Sequence, residues 1–144
     1  MKVRFSKVNP NAIAPHRATV GASGLDLYAC LSTRRLYIEA GNTYLIGTGI
    51  ALELPDGYEA QVRPRSGVTV RGLIAAFGTV DSDYRGEISV VVHNVFATDL
   101  VVVDGDRIAQ LVIVPVPHVE LVEVSEHELS PTARGRGGFG STGK

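Results

Sequence analysis

Leu100-Val101-Val102-Val103-Asp104-Gly105-Asp106-Arg107-Ile108-Ala109-Gln110-Leu111-Val112-Ile113-Val114 decides the fold. Two apolar runs flank Asp104-Gly105, a dipeptide favoured in hairpins. They predict one strand over 100–103 and a returning strand over 107–114. Beyond them, Pro115 and Pro117 mark an edge or a crossover. Val119, Leu121 and Val124 then interleave with Glu120 and Glu123, which predicts a further half-buried strand. Upstream, Ile88 to Val92 is continuously apolar. Ile50 to Leu54 and Tyr58 to Val62 flank the turn signal Pro55-Asp56-Gly57. Arg34 to Ile38 and Thr43 to Ile46 flank Ala40-Gly41-Asn42 in the same way. Many short strands bounded by turn residues predict an all-β barrel or sandwich. No amphipathic helix of 10 or more residues is visible. The best short candidate is Gly67 to Gly72 with Ser66 as a possible N-cap, although Val68, Thr69 and Val70 favour strand on propensity.

Composition agrees with one ordered domain. The chain has 144 residues, 44 % hydrophobic and 20 % charged. A chain of this length buries roughly 70 % of the surface its unfolded form exposes. Fourteen Lys and Arg against fifteen Asp and Glu leave a net charge of -1. Such a balance gives no broad electrostatic reason to bind nucleic acid or an anionic membrane. The single cysteine, Cys30, reads as core and excludes an internal disulfide or a Cys-cluster zinc site. With no membrane-length apolar run and no signal-peptide pattern, the expected location is the cytoplasm.

The C-terminus differs from the rest. Ser130 to Lys144 holds five glycines, Pro131, Arg134, Arg136 and one aromatic, Phe139. It cannot bury enough apolar area to order itself, which divides the chain into a barrel over 1–129 and a tail over 130–144. Gly135 to Gly140 fits G-x-G-x-x-G, and Gly138 to Lys144 fits the start of a phosphate loop. Both patterns need a following helix, and none follows here. The local chemistry remains: arginines, glycine amides and hydroxyls that can bind an anion, and a ring that can stack.

Other segments carry chemistry with two readings each. Asp81-Ser82-Asp83-Tyr84-Arg85-Gly86-Glu87 is either a turn with solvated carboxylates or a source of a general base or metal ligand. Arg63-Pro64-Arg65-Ser66-Gly67 sets planar guanidiniums beside a hydroxyl and a glycine, either as a polar junction or as a phosphate site. Asp26, closing the small-residue run from Gly21, either satisfies a turn or serves a site. Gln110 is either a satisfied core amide or a ligand donor. His16, His93, His118 and His127 have no metal-site spacing, and His93-Asn94 reads as a structural pair. Glu120, Glu123, Glu126 and Glu128 read as solvated surface.

Five segments in order carry a resemblance. They are Ala22-Ser23-Gly24-Leu25-Asp26-Leu27, Pro64-Arg65-Ser66-Gly67, Gly78 to Glu87, Arg107-Ile108-Ala109-Gln110-Leu111, and Arg134 to Gly143. Together they resemble the motifs of the trimeric deoxyuridine triphosphatase (dUTPase) family, over most of the chain. The stretch between Gly67 and Asp81 is a few residues shorter than in many relatives, and reads Ala75-Ala76-Phe77-Gly78 without their asparagine.

The resemblance implies a small antiparallel jelly-roll barrel, a homotrimer, and a short helix after Ser66. It implies hydrolysis of dUTP to dUMP and pyrophosphate. Asp81 is the expected base for the attacking water. Arg65, Ser66, Gly67 and Gln110 are expected on the phosphate chain, with Arg134 delivered by the tail as an arginine finger. Phe139 is expected to stack on uracil, and Gly140, Ser141 and Thr142 to close on the phosphates. Tyr84 is expected to pack on deoxyribose and exclude a 2′-hydroxyl. A hairpin over 73–80 is expected to read the base through Ala76, Thr79 and Val80. Mg²⁺ is the expected cofactor, held by the triphosphate with Asp26 reaching it through water. Each site is expected to draw on three chains. The rivals are a dCTP deaminase-type enzyme of related fold, disfavoured by the Phe139 tail, and a non-catalytic nucleotide-binding module, for which nothing in the residues argues.

Overall fold

Short β-runs become short strands. The computed structural model describes residues 1–138, so the expected roles of Phe139, Gly140, Ser141 and Thr142 lie outside the described residues. The strands are β1 (Arg4–Lys7), β2 (Leu25–Tyr28), β3 (Arg35–Ile38), β4 (Thr43–Gly47), β5 (Ile50–Glu53) and β6 (Tyr58–Arg63), followed after a helix by β7 (Leu73–Ala75), β8 (Gly78–Val80), β9 (Ser89–Asn94), β10 (Leu100–Val103) and β11 (Arg107–Pro115). The helix is α1 (Ser66–Thr69), and a 3₁₀ turn covers Glu126–Glu128. All pairings are antiparallel, in the orders β1-β5, β10-β3, β2-β11-β6-β8 and β4-β9-β7. The protein is an all-β barrel of jelly-roll type.

Among the described residues, no strand pairs with its neighbour in sequence. The turn at Asp104-Gly105 is therefore a corner between sheets, and not the predicted hairpin. Its hydrogen bonds show why. Asp104 Oδ1 accepts from Leu31 N at 2.8 Å, and Gly105 N donates to Ala29 O at 2.9 Å. Those bonds pin the turn to the β2–β3 link and send β10 to β3 and β11 to β2 and β6. Gly105 has φ 83°, a left-handed conformation that glycine adopts without a Cβ clash. The turns at 40–42 and 55–57 likewise join strands of different sheets. The same holds for 73–80: β7 pairs with β9 and β8 with β6, so this segment bridges two sheets and forms no ladder of its own.

The core follows the period-two rule. In β9, Val90, Val92 and Asn94 are buried while Val91 faces out. Leu27, Ile38, Ile46, Ile50, Ile88 and Ile108 are fully enclosed with them. Asn94 is satisfied by donating from Nδ2 to Ile38 O and Thr98 O, both at 2.9 Å. His93 Nδ1 lies 2.6 Å from Thr43 Oγ1, so the pair is structural, as read. Cys30 packs against this core, and burial, with Asp104 and Glu87 nearby, pushes its thiol above the ordinary range.

Two expectations need correcting. The helix forms against the β-propensity of Val68 because Val68 packs into the core. Its N-cap is Arg65, in extended conformation, and not Ser66. Residues 119–124 form no strand: Val119 is 76 % exposed and Leu121 94 %. Alternation of Val and Glu specifies a half-buried face, but a strand also needs a partner edge, and none of the described residues supplies one there. The last strand ends at Pro115, and residues 115–136 are exposed.

Candidate active site

Two clusters form at different places on the barrel. The first sits where β2, β11 and the start of α1 meet. Gln110 pairs in register with Asp26 of β2 on one side and Arg63 of β6 on the other, which brings three of the five motifs to one point. Asp26 is buried, its carboxylate only 9 % exposed. Arg65 Nε reaches Asp26 Oδ1 at 2.8 Å and Arg107 Nη1 reaches Oδ2 at 3.3 Å. Arg65 also approaches Arg107 O at 3.4 Å. One carboxylate thus braces two guanidiniums. Arg63 turns away instead, its Nε donating to Gln61 Oε1 at 2.9 Å.

Gln110 Nε2 donates to Pro64 O at 2.8 Å. A Cβ on Gly24 would collide with the Gln110 side chain, which explains the small residues ahead of Asp26. Ser66 and Gly67 occupy the exposed start of α1; the N–H groups of Val68 and Thr69 close on Arg65 O, and those of Ser66 and Gly67 precede the first helical bond. Beside the cluster lies a cavity of about 420 Å³, lined by Arg65, Arg71, Arg107 and Asp106 over an apolar floor that includes Val68 and Leu73. Guanidiniums held in fixed orientation, a side-chain amide and open N–H groups together suit a polyphosphate. Arg107, to which the resemblance assigns no role, joins the cluster from the head of its motif, and that position is the sequence signal for it.

The second cluster surrounds a cavity of about 340 Å³, lined by Thr79, Val80, Asp81, Tyr84 and Glu87 together with Leu45, Val62 and Ile88. Asp81 is exposed at its edge. The loop after β8 is closed by Tyr84 N donating to Asp81 O at 3.2 Å and by Arg85 Nη1 donating to Ser82 O at 2.6 Å. Ala76 is fixed by its N–H on Val91 O at 2.8 Å, and Phe77 beside it is 61 % exposed. Val80 is buried and Thr79 exposed, so of these two only the threonine side chain faces outward.

Both clusters lie on the sheet β2-β11-β6-β8, but among the described residues no side-chain hydrogen bond or ion pair runs between them and their cavities share no lining residue. Arg134 meets neither; its Nε donates to Gly137 O at 2.8 Å in a local turn. Reasoning from the residues missed the capping box at 125–128, where Ser125 N and Oγ donate to Glu128 Oε2 at 3.0 and 2.6 Å. Those bonds hold the Glu128 carboxyl below its ordinary range. The Ser-x-x-Glu spacing was the signal for it. Glu126, read as solvated, pairs with Arg136. No group of three or more His, Cys, Asp or Glu side chains among the described residues is placed to hold a metal ion. None of the described helices is long and apolar enough to cross a membrane.

Fold and site together define a β-barrel that carries two arginines braced by a buried carboxylate beside one cavity, and a second, separate cavity. The sequence model of the dUTPase family matches residues 10–143, and the chain belongs to that family. It is 49 % identical over 146 residues to the deoxyuridine 5′-triphosphate nucleotidohydrolase of Hydrogenobaculum sp. (strain Y04AAS1), covering 99 % of each chain. It is 51 % identical over 132 residues to that of Anaplasma marginale (strain St. Maries), covering 90 % of this chain and 88 % of the other. Among solved structures it is similar to the Staphylococcus bacteriophage 80alpha dUTPase with dUpNHpp. That likeness has a TM-score of 0.91 at 27 % identity over 99 % of each chain.

Proposed function

We infer that this chain hydrolyses dUTP to dUMP and pyrophosphate. The observation that carries the reading is the Asp26-braced pair Arg65 and Arg107 beside Gln110, in a chain half identical to deoxyuridine 5′-triphosphate nucleotidohydrolases. A fold shared with a phage dUTPase bound to dUpNHpp supports it. The phosphate chain lies on Arg65, Ser66, Gly67 and Gln110. Asp81 orients the attacking water, takes its proton, and directs it at the α-phosphorus. Ala76, Thr79 and Val80 border the base, and Tyr84 packs on the deoxyribose. Residues 130–144 act as a tail on the 1–129 barrel. The tail brings Arg134 to the charge developing on pyrophosphate, Phe139 to the uracil ring, and Gly140, Ser141 and Thr142 to the terminal phosphate.

The residues present fit Mg²⁺ only as a triphosphate-bound ion. They offer no protein cage, and both Asp26 oxygens already accept from arginines. A carboxylate keeps further lone pairs, so Asp26 can still reach the ion through a water. Bound there, Mg²⁺ would neutralise phosphate charge. No nucleic acid or membrane partner is invoked, and the location proposed is the cytoplasm.

A homotrimer with shared sites accounts for the separation of the two clusters. The exposed Leu45, Val91 and Val119 to Val124 are surface that a second copy can cover. Sedimentation of the active enzyme is expected to give three times 15.3 kDa; a mass near 15.3 kDa would exclude this arrangement. Incubation with dUTP and dCTP, reading pyrophosphate and ammonia separately, tests the activity. Pyrophosphate from dUTP without ammonia from dCTP is expected, and the reverse would establish the deaminase. Tyr84→Ala is expected to erode discrimination against UTP more than dUTP turnover, by about 1–3 kcal/mol. An unchanged dUTP-to-UTP ratio would show that Tyr84 is not the wall.

A further inference from the structure

Glu87 sits at the end of the Asp81 loop and was assigned nothing beyond membership of its motif. Its carboxylate crosses to the β4–β5 turn, where Oε1 accepts from Gly49 N at 2.6 Å. Gly49 has φ 67°, and Gly47 lies against the same carboxylate, where an added Cβ would collide with Glu87. The turn is thus shaped to receive this side chain. On its backbone side, Glu87 O accepts from the Tyr84 hydroxyl at 3.0 Å. The Tyr84 ring also lies over Gly86, where a Cβ would strike the ring and its hydroxyl. Glu87 is therefore bonded at one end to the barrel and at the other to the side chain that faces the second cavity. The following residue is held by Ile88 N on Ile50 O at 2.8 Å and by Thr48 Oγ1 on Ile88 O at 2.6 Å, so the anchor point itself is rigid.

We propose that Glu87 is a positioning residue for sugar discrimination: the strut Gly49–Glu87–Tyr84 fixes the height of the Tyr84 ring over the cavity. The proposal rests on Tyr84 being the wall against a 2′-hydroxyl. A wall rejects an added hydroxyl only while it cannot retreat, and a displacement of about 1 Å is enough to change rates markedly. Without the carboxylate, Gly49 N loses its acceptor and the loop end is tied by backbone bonds alone.

The test measures kcat/KM for dUTP and UTP in full-length protein, with thermal midpoints recorded alongside. Glu87→Ala is expected to lower the dUTP-to-UTP ratio about tenfold, within the range by which a pocket tells such substrates apart. Glu87→Gln, whose amide oxygen can still accept from Gly49 N, is expected to restore most of the ratio. Gly47→Ala attacks the strut from the other side without touching the loop, and is expected to lower the ratio as Glu87→Ala does. A merely structural Glu87 would shift the thermal midpoint and leave the ratio alone. An unchanged ratio in Glu87→Ala and Gly47→Ala, with Tyr84→Ala altered, overturns the strut and spares the assignment of Tyr84. An unchanged ratio in Tyr84→Ala itself overturns both. Glu87→Gln behaving as Glu87→Ala overturns the hydrogen-bond account.

Discussion

Asp81→Asn is expected to leave a folded protein that binds dUTP and scarcely turns it over. Asp81 is exposed at the rim of the second cavity, on a loop closed by backbone and arginine hydrogen bonds. An amide of equal size there disturbs no packing. It can hold a water but cannot take its proton. A positioned base contributes about 10²–10⁴ in rate, and a loss of that size in kcat is the expected reading. KM should move little, since Asp81 is not among the groups placed on the phosphates. Near-normal turnover would transfer the base role elsewhere, with Asp83 the first residue to examine. A rise in KM without loss of kcat would make Asp81 a binding group.

What the residues revealed and what they withheld divide along a physical line. Most strand positions were legible because a strand's apolar runs and turn residues are local; β1, exposed throughout, and the short β2, behind a run of small residues, carry no such run and were not. Leu100 to Val103 and Asp104-Gly105 were placed correctly, yet their partners were not. Pairing depends on Asp104 reaching Leu31 and Gly105 reaching Ala29, contacts far apart in sequence. The helix at Ser66 ran against propensity because tertiary burial of Val68 outweighs a β-branched residue's small local preference. The segment 119–124 failed in the opposite direction: its alternation was real, but a strand's edge needs a second edge.

The site shows the same division. The motif residues were legible as chemistry: fork-shaped arginines, a lone carboxylate, an amide in an apolar strand. That Asp26 braces both Arg65 and Arg107 was not, because it depends on β2 and β11 lying in register. The likeness of Arg63 and Arg65 in sequence also concealed their separation: one is held by Gln61, the other by Asp26. Gly24 gives the converse lesson. A glycine there looked like turn chemistry, and its structural use is to admit the Gln110 amide.

Truncation before Arg134 is expected to leave the barrel folded and the enzyme nearly inactive. The last strand ends at Pro115, and the fully buried core residues all lie before it. Stability should therefore change little. Activity loses Arg134, Phe139 and the hydroxyls of Ser141 and Thr142 at once. An arginine finger is worth about 10³–10⁵ in phosphoryl transfer, and stacking on a base about 1–3 kcal/mol. The two need not add, since the tail acts as a unit. Mixing the truncated chain with full-length Asp81→Asn then separates a shared site from a private one. Each parent lacks one component, and within a single chain neither can supply the other. If sites are shared, some mixed trimers join Asp81 of a truncated chain to the tail of a substituted one. Activity should then exceed that of either parent. Mixing must pass through partial denaturation so that subunits exchange, and exchange must be shown independently by mass. Exchange without recovered activity would mean that the Asp81 cluster and the tail serve the same chain.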